Sequence, residues 1–176
     1  MRIASVCGLL TLSVVGAAQA EPGADGSRLS AVVSAGVAQP PFGWGLGAEV
    51  GYTWSPGLYV GGESVYHFGG DGIFGGASEG SGDRPRSLFA LGGVFGFELP
   101  PLLGAVLRPS FDCGVGSLDQ TSPYVGGALT ELVRLDVVEL GLSVKVHDYL
   151  IARDENTSAR GVTTAALYLF IGAGIP

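Results

Sequence analysis

The segment GWGLGAEVGYTW, residues 43–54, alternates strictly between two kinds of side chain. One parity carries tryptophan, leucine, alanine, valine and tyrosine, whereas the other carries glycine, one threonine and a single carboxylate, Glu49. Since successive side chains of a β-strand point to opposite faces, the segment predicts a strand with one bulky apolar face and one nearly empty face. The chain contains 31 glycines. Because each glycine inside a helix costs about 1 kcal/mol relative to alanine, a helical bundle is excluded.

The same alternation recurs along the chain and predicts eight strands. They lie at residues 28–39, 43–54, 58–68, 87–99, 102–115, 123–134, 138–151 and 159–175. Pro109 falls on the apolar row of the fifth strand and predicts a bulge, because proline cannot donate a ladder hydrogen bond. The strands at 123–134 and 159–175 have apolar residues at both parities, so the pattern does not assign their faces.

Hydropathy separates this chain from helical membrane proteins. Its mean hydropathy is high, at +0.41, yet no segment after residue 20 approaches the roughly 20 continuous apolar residues of a membrane helix. Apolar residues spread over many alternating strands are typical of a closed barrel in lipid, since closure leaves no backbone edge in hydrocarbon. The predicted fold is all-β, an eight-stranded antiparallel up-and-down transmembrane β-barrel.

The first residues predict export. Met1-Arg2 is a short positive start, an apolar stretch follows, and Ala18-Gln19-Ala20 is a cleavage site, so residues 1–20 are expected to be a signal peptide. Residues 21–176 are expected to form one domain, the barrel, with Cys113 as their single cysteine and therefore no intrachain disulfide. The chain has 16 acidic against 9 basic side chains, which makes nucleic acid an unexpected partner.

The nearly empty face carries isolated charges instead of the Thr, Lys, Ser and Gln of a water-facing sheet. This predicts an inverted barrel, in which small residues make room inside for a few charged side chains and the bulky row faces lipid. The residues predicted to line the lumen as a charge network are Glu49, Glu63, His67, Glu98, Arg108, Asp112, Glu139, Lys145 and His147. The residues predicted to form aromatic girdles near the membrane surfaces are Trp44, Tyr52, Trp54, Tyr66, Phe68 and Tyr124.

With eight alternating strands and the segments GWGLGAEVGYTW and LYVGGESVYHF, the chain resembles small outer-membrane β-barrel proteins of Gram-negative bacteria. This is the class of the transmembrane domain of outer-membrane protein A. The resemblance covers essentially all of residues 21–176 and is one of pattern. It implies an outer-membrane location, contact with outer-membrane lipid, and passage through the export and barrel-assembly machinery. The longest connection, residues 69–86, is where surface partners are expected to bind.

The lumen charges have two interpretations. We expect a structural network in a protein with a structural, anchoring or surface-interaction role, and the alternative is a narrow, porin-like channel for ions or small solutes. Further alternatives are a lipid A-modifying enzyme and a soluble lipocalin-like binder. The element His147-Asp148-Tyr149 lacks the serine of the His-x-Ser arrangement found in eight-stranded lipid A deacylases, so no catalytic residue is expected. Neither His67 nor His147 has ligand-like local spacing, so we expect no metal ion and no other cofactor.

Overall fold

The computed structural model describes residues 27–39, 42–69, 87–117, 121–150 and 162–175. The predicted signal peptide at 1–20 and nearly all of the expected surface segment at 69–86 lie outside the described residues. Within those ranges, no helix is long and apolar enough to cross a membrane.

Eight strands follow one another along the chain. They are β1 (Arg28–Ala38), β2 (Trp44–Trp54), β3 (Leu58–His67), β4 (Leu88–Phe97), β5 (Ala105–Ser117), β6 (Thr121–Leu135), β7 (Val138–Tyr149) and β8 (Val162–Ile175). Each strand pairs antiparallel with the next, and β8 pairs with β1, so the sheet closes into a barrel. The predicted eight-stranded antiparallel up-and-down barrel is confirmed, and no predicted strand limit is more than three residues from the observed one.

The connections define two ends of the barrel. At one end, which we call the turn end, lie residues 55–57, 98–104 and 136–137, together with the start of β1 and the end of β8. At the opposite end, the loop end, lie the ends of β1, β3, β5 and β7 and the starts of β2, β4, β6 and β8.

Local backbone geometry explains two of the tight turns. Leu102 and Ala105 exchange both backbone hydrogen bonds, at 2.8 and 3.0 Å, and the two residues between them, Leu103 and Gly104, have φ values of 54° and 85°. Positive φ at both central residues is the geometry whose twist matches that of the flanking strands. Asp136 has φ 59° in the turn between β6 and β7, a conformation that aspartate tolerates better than most residues.

The bulky row of each strand points away from the interior. Leu46, Val50 and Phe95 are 48%, 55% and 57% exposed, and Phe89 is similarly exposed. These side chains therefore do not meet at the barrel centre, as they would in a soluble barrel. The outward surface is the apolar one, and the barrel is inverted as the alternation predicts.

The structure also shows which residues of β6 and β8 point into the barrel, which the sequence pattern did not decide. In β6, Tyr124 and Leu132 point into the barrel while Val125 and Leu129 point outward. In β8, the inward residues Tyr168 and Phe170 alternate with outward leucine and isoleucine. Large residues occur at both parities in these strands because large side chains fill the lumen opposite glycines of other strands.

The bulge predicted at Pro109 is wrong. Pro109 pairs with Leu129 in an uninterrupted ladder between β5 and β6. On its other side, the ladder between β4 and β5 ends at the pair of Gly96 with Ser110, one residue before the proline. Beyond the proline, the Leu99 N–H donates to the Leu107 carbonyl oxygen at 2.8 Å in the same register, so the missing N–H interrupts the ladder without adding an extra residue.

Apolar side chains close the interior toward the loop end. The cluster consists of Ala38, Phe42, Val65, Leu88, Ala90, Tyr124, Tyr149, Ala166 and Tyr168, all buried. A smaller cluster of Val106, Leu132 and Phe170 lies among the charged side chains nearer the turn end. The lumen is therefore a packed core.

Candidate functional site in the barrel interior

Inward-facing glycines make the space that the large lumen side chains occupy. A Cβ added to Gly51 would clash with the Tyr59 hydroxyl, and one added to Gly92 would clash with the Tyr124 hydroxyl and the Cys113 carbonyl oxygen. By contrast, a Cβ on an outward glycine such as Gly93 would approach no atom more closely than 3.9 Å. The nearly empty face of each strand is thus filled by side chains from other strands.

At the turn end, four charged side chains alternate in sign. Arg28 Nε donates to Glu139 Oε1 at 2.8 Å, and Arg134 Nε donates to the same oxygen at 3.1 Å. The Arg134 Nη2 atom also contacts both oxygens of Glu98, at 2.7 and 2.8 Å. Thr53 donates a further hydrogen bond to Glu98. Each carboxylate is therefore held between cations or donors, as buried charges require.

The middle of the lumen continues the alternation. Arg108 Nη2 donates to Glu49 Oε1 at 2.7 Å, and its Nη1 atom lies 3.9 Å from Glu98. The guanidinium carbon of Arg108 sits 3.8 Å from the centre of the Tyr59 ring, in cation–π geometry, while the Tyr59 hydroxyl donates to Glu49 at 2.7 Å. Lys145 then bridges Glu49, at 3.2 Å, and Glu63.

Nearer the loop end, the charges finish in a cluster of two carboxylates and a histidine. His147 Nε2 lies 2.5 Å from Asp112 Oδ2 and 3.7 Å from Glu63 Oε1. The Tyr124 hydroxyl donates to Glu63 Oε1 at 3.2 Å. These side chains come from β3, β5, β6 and β7, so the contacts cross the lumen.

Together these contacts form one continuous series through the lumen, which we call the ionic column. Its members in order are Arg28, Glu139, Arg134, Glu98, Arg108, Glu49, Lys145, Glu63, His147 and Asp112. Five carboxylates face four arginine or lysine side chains, so the column is nearly neutral. Breaking a buried pair by removing one partner leaves an uncompensated charge, which typically costs 3–5 kcal/mol.

All nine residues predicted to line the lumen point inward in the structure. His67 is the one that stands apart from the column: it is buried, and its Nε2 atom lies 2.7 Å from the Tyr168 hydroxyl. Arg28 and Arg134 also belong to the column but were not predicted to line the lumen. Charge balance was the available signal, because the predicted set held five carboxylates and only two arginine or lysine residues.

The aromatic residues divide between the two ends of the barrel surface. Near the loop end, Trp44 stacks on Phe68 with ring centres 4.0 Å apart, and Tyr66 packs edge-on against Phe68 at 4.9 Å. Near the turn end, Tyr52 packs against Trp54 at 4.7 Å. These five side chains lie on the outward face, where interfacial girdles are found in membrane barrels.

Tyr124 does not belong to a girdle. It is 1% exposed and hydrogen-bonds to Glu63 inside the lumen, and its ring packs at a tilt against the rings of His147 and Tyr149, with centres 4.9 and 5.3 Å apart. The prediction was wrong because an aromatic residue near a strand end suits either location, and β6 has apolar residues at both parities. Gly92 leaves the space that the Tyr124 hydroxyl occupies inside the lumen.

Comparison with known proteins identifies the fold and no closer relationship. No protein-family model matches the sequence, and no curated protein matches it. The solved structure of Ail, the attachment invasion locus protein of Yersinia pestis, is similar with a TM-score of 0.50 and 10% identity, covering 86% of this chain and 99% of that chain. The structure of Neisserial surface protein A has a TM-score of 0.49 and 12% identity, covering 85% and 96%. With the closed eight-stranded topology, the likeness to Ail establishes the fold of a small outer-membrane β-barrel protein.

Proposed function

We propose that this protein is an integral protein of the bacterial outer membrane with a sealed lumen and a structural, anchoring or surface-interaction role. Residues 1–20 direct its export, and the barrel-assembly machinery inserts it. Contacts with a surface partner are made by the loop end, mainly by residues 69–86. No catalytic role is proposed.

The distribution of apolar and charged side chains carries this proposal. Exposed leucine, valine and phenylalanine cover the outside of every described strand, while Glu63, Asp112 and Glu139 are each no more than 3% exposed. In water this arrangement would expose far more apolar surface than soluble proteins tolerate. In lipid it leaves no backbone edge in hydrocarbon, and the outward face of the described strands carries two charged side chains, Glu131 toward the turn end of β6 and Asp148 at the loop end of β7.

A sealed lumen follows from the ionic column and the apolar cluster above it. A cavity of about 20 Å³ lies beside Glu49, Glu63, Arg108 and Lys145, which is room for about one water molecule. Ions crossing the lumen would have to displace paired charges. This favours a structural network over the alternative of a channel.

The experiment is to express the full chain in a Gram-negative host and fractionate the cells. We expect the protein in the outer-membrane fraction, extractable only with detergent, and migrating differently on a gel when heated and unheated, because a folded barrel resists unfolding in detergent. Release from the periplasm without detergent would contradict the proposal.

Planar-bilayer recording tests the sealed lumen separately. The purified barrel is expected to give no discrete conductance steps, since the column and apolar cluster block the path. Reproducible steps that change in size with Lys145→Met would contradict a structural role for the column and establish the channel.

A further inference from the structure

Three potential metal ligands converge where the ionic column meets the apolar cluster. A carboxylate oxygen of Glu63, a carboxylate oxygen of Asp112 and an imidazole nitrogen of His147 all lie within 4.8 Å of one another. The side chains come from β3, β5 and β7, which are not neighbours in the sheet, and none is more than 5% exposed. This convergence depends on closure of the barrel, which explains why no local spacing signalled it.

A buried carboxylate oxygen of Asp112 has no hydrogen-bond partner, which indicates that this cluster binds an ion. Asp112 Oδ1 is buried and has no hydrogen-bond partner, while the Oδ2 atom contacts His147. Gly126 leaves space at this position, because a Cβ there would clash with Asp112 Oδ1 and with the His147 ring. A buried acceptor without a donor keeps its full desolvation cost, which is larger when the acceptor is charged, so this oxygen requires a partner.

The ionic column also has more negative than positive charge. Five carboxylates face four arginine or lysine side chains, and Lys145 is shared between Glu49 and Glu63. Among the residues that the structure describes, Asp112 forms no ion pair with arginine or lysine, and the ionisable side chains beside it are His147 and a second carboxylate, Glu63. The shortage of positive charge therefore lies at Asp112.

We propose that Glu63, Asp112 and His147 bind one divalent transition-metal ion, Zn²⁺, inside the barrel. One imidazole nitrogen and two carboxylate oxygens are ligands that Zn²⁺ accepts at about 2.0–2.2 Å, with a water molecule as the fourth. The Tyr124 hydroxyl, which donates to Glu63, orients that ligand from outside the metal shell. His147 Nε2 and Asp112 Oδ2 must separate from 2.5 Å to about 3.3 Å, the ligand spacing of a tetrahedral site.

The test uses the full folded barrel in detergent, stripped with a chelator and then titrated with Co²⁺ or Zn²⁺ alone. We expect one ion per barrel, measured for Zn²⁺ by elemental analysis after desalting and for Co²⁺ by the visible absorption of a four- or five-coordinate ion. His147→Gln, which can keep a hydrogen bond to Asp112, is expected to weaken binding at least about tenfold.

His67→Gln is the matched control, because it removes a buried lumen histidine outside the cluster. It should bind the metal as the unaltered protein does. The unheated gel shift verifies that each variant is folded, and Asp112→Asn replaces His147→Gln should the latter not fold. The proposal is overturned if the unaltered barrel binds no stoichiometric metal, as expected were a proton on His147 to balance Asp112 instead. Undiminished binding by His147→Gln or Asp112→Asn would also overturn it, by placing the ion elsewhere.

Discussion

Lys145→Met should lower the free energy of unfolding of the barrel by about 3–5 kcal/mol. The Lys145 ammonium bridges Glu49 and Glu63 in the middle of the lumen. Methionine fills a similar volume but leaves both carboxylates without this cation. The cavity beside them has room for about one water molecule, which is too little to solvate two carboxylates, so their desolvation is no longer offset. Guanidinium unfolding in detergent, followed by the fluorescence of Trp44 and Trp54, measures the change.

Arg134→Met is the matched comparison. Arg134 also bridges two carboxylates, Glu98 and Glu139, but its side chain is 24% exposed against 11% for Lys145. Water near the turn end can partly solvate the two carboxylates in place of the guanidinium, so a smaller loss of unfolding free energy is expected. Adding Glu63→Gln to Lys145→Met should restore part of the stability, because Glu49 keeps its ion pair with Arg108 whereas Glu63 has lost its lysine partner. Equal, small effects of both single changes would contradict a desolvated column.

Gly92→Ala is expected to destabilise the barrel by about 1–3 kcal/mol, whereas Gly93→Ala should be neutral or slightly stabilising. The two glycines are adjacent in β4 and face opposite sides. A methyl group at 92 meets the Tyr124 hydroxyl and the Cys113 carbonyl oxygen, and because the latter is backbone, the strand itself must shift. At 93 the nearest atom is 3.9 Å away.

The same unfolding experiment measures both alanine variants. Gly92→Ala should also disturb the hydrogen bond from Tyr124 to Glu63, and so reduce the unheated gel shift more than Gly93→Ala does. Equal stability of the two variants would contradict the assignment of these faces. A larger loss of stability for Gly93→Ala would mean that residue 93 faces the lumen and residue 92 faces outward.

Strand positions were predictable because the side-chain period of a strand is two and the turns at 55–57 and 98–104 contain glycine and proline. The inward direction of single charges such as Glu49 was predictable for the same reason. Which charges touch was not, since Lys145 of β7 reaches Glu49 and Glu63 of β2 and β3 across a closed sheet. Such contacts depend on the stagger of the strands around the barrel.

Residues with two plausible locations account for the errors. Tyr124 could pack in a girdle or fill the lumen, and only the register, which aims it over Gly92, decides. Arg134 lies in a strand whose faces the pattern left ambiguous. Pro109 cannot donate a hydrogen bond to β4, yet the register is the same on both sides of it, because the bond from Leu99 to Leu107 continues the pairing seen before the proline.

The central claim is that the bulky row of each strand meets acyl chains. Cys113 tests it directly, because it is exposed on the outward face of β5 and is the one cysteine of residues 21–176. A spin label on Cys113 of the barrel in lipid vesicles should be accessible to oxygen and protected from a water-soluble nickel complex. Labels placed at Phe111 and Val115 in cysteine-substituted chains should behave alike. Protection from both reagents, or access by the nickel complex, would mean that this row faces the interior or water, and the membrane account would fail.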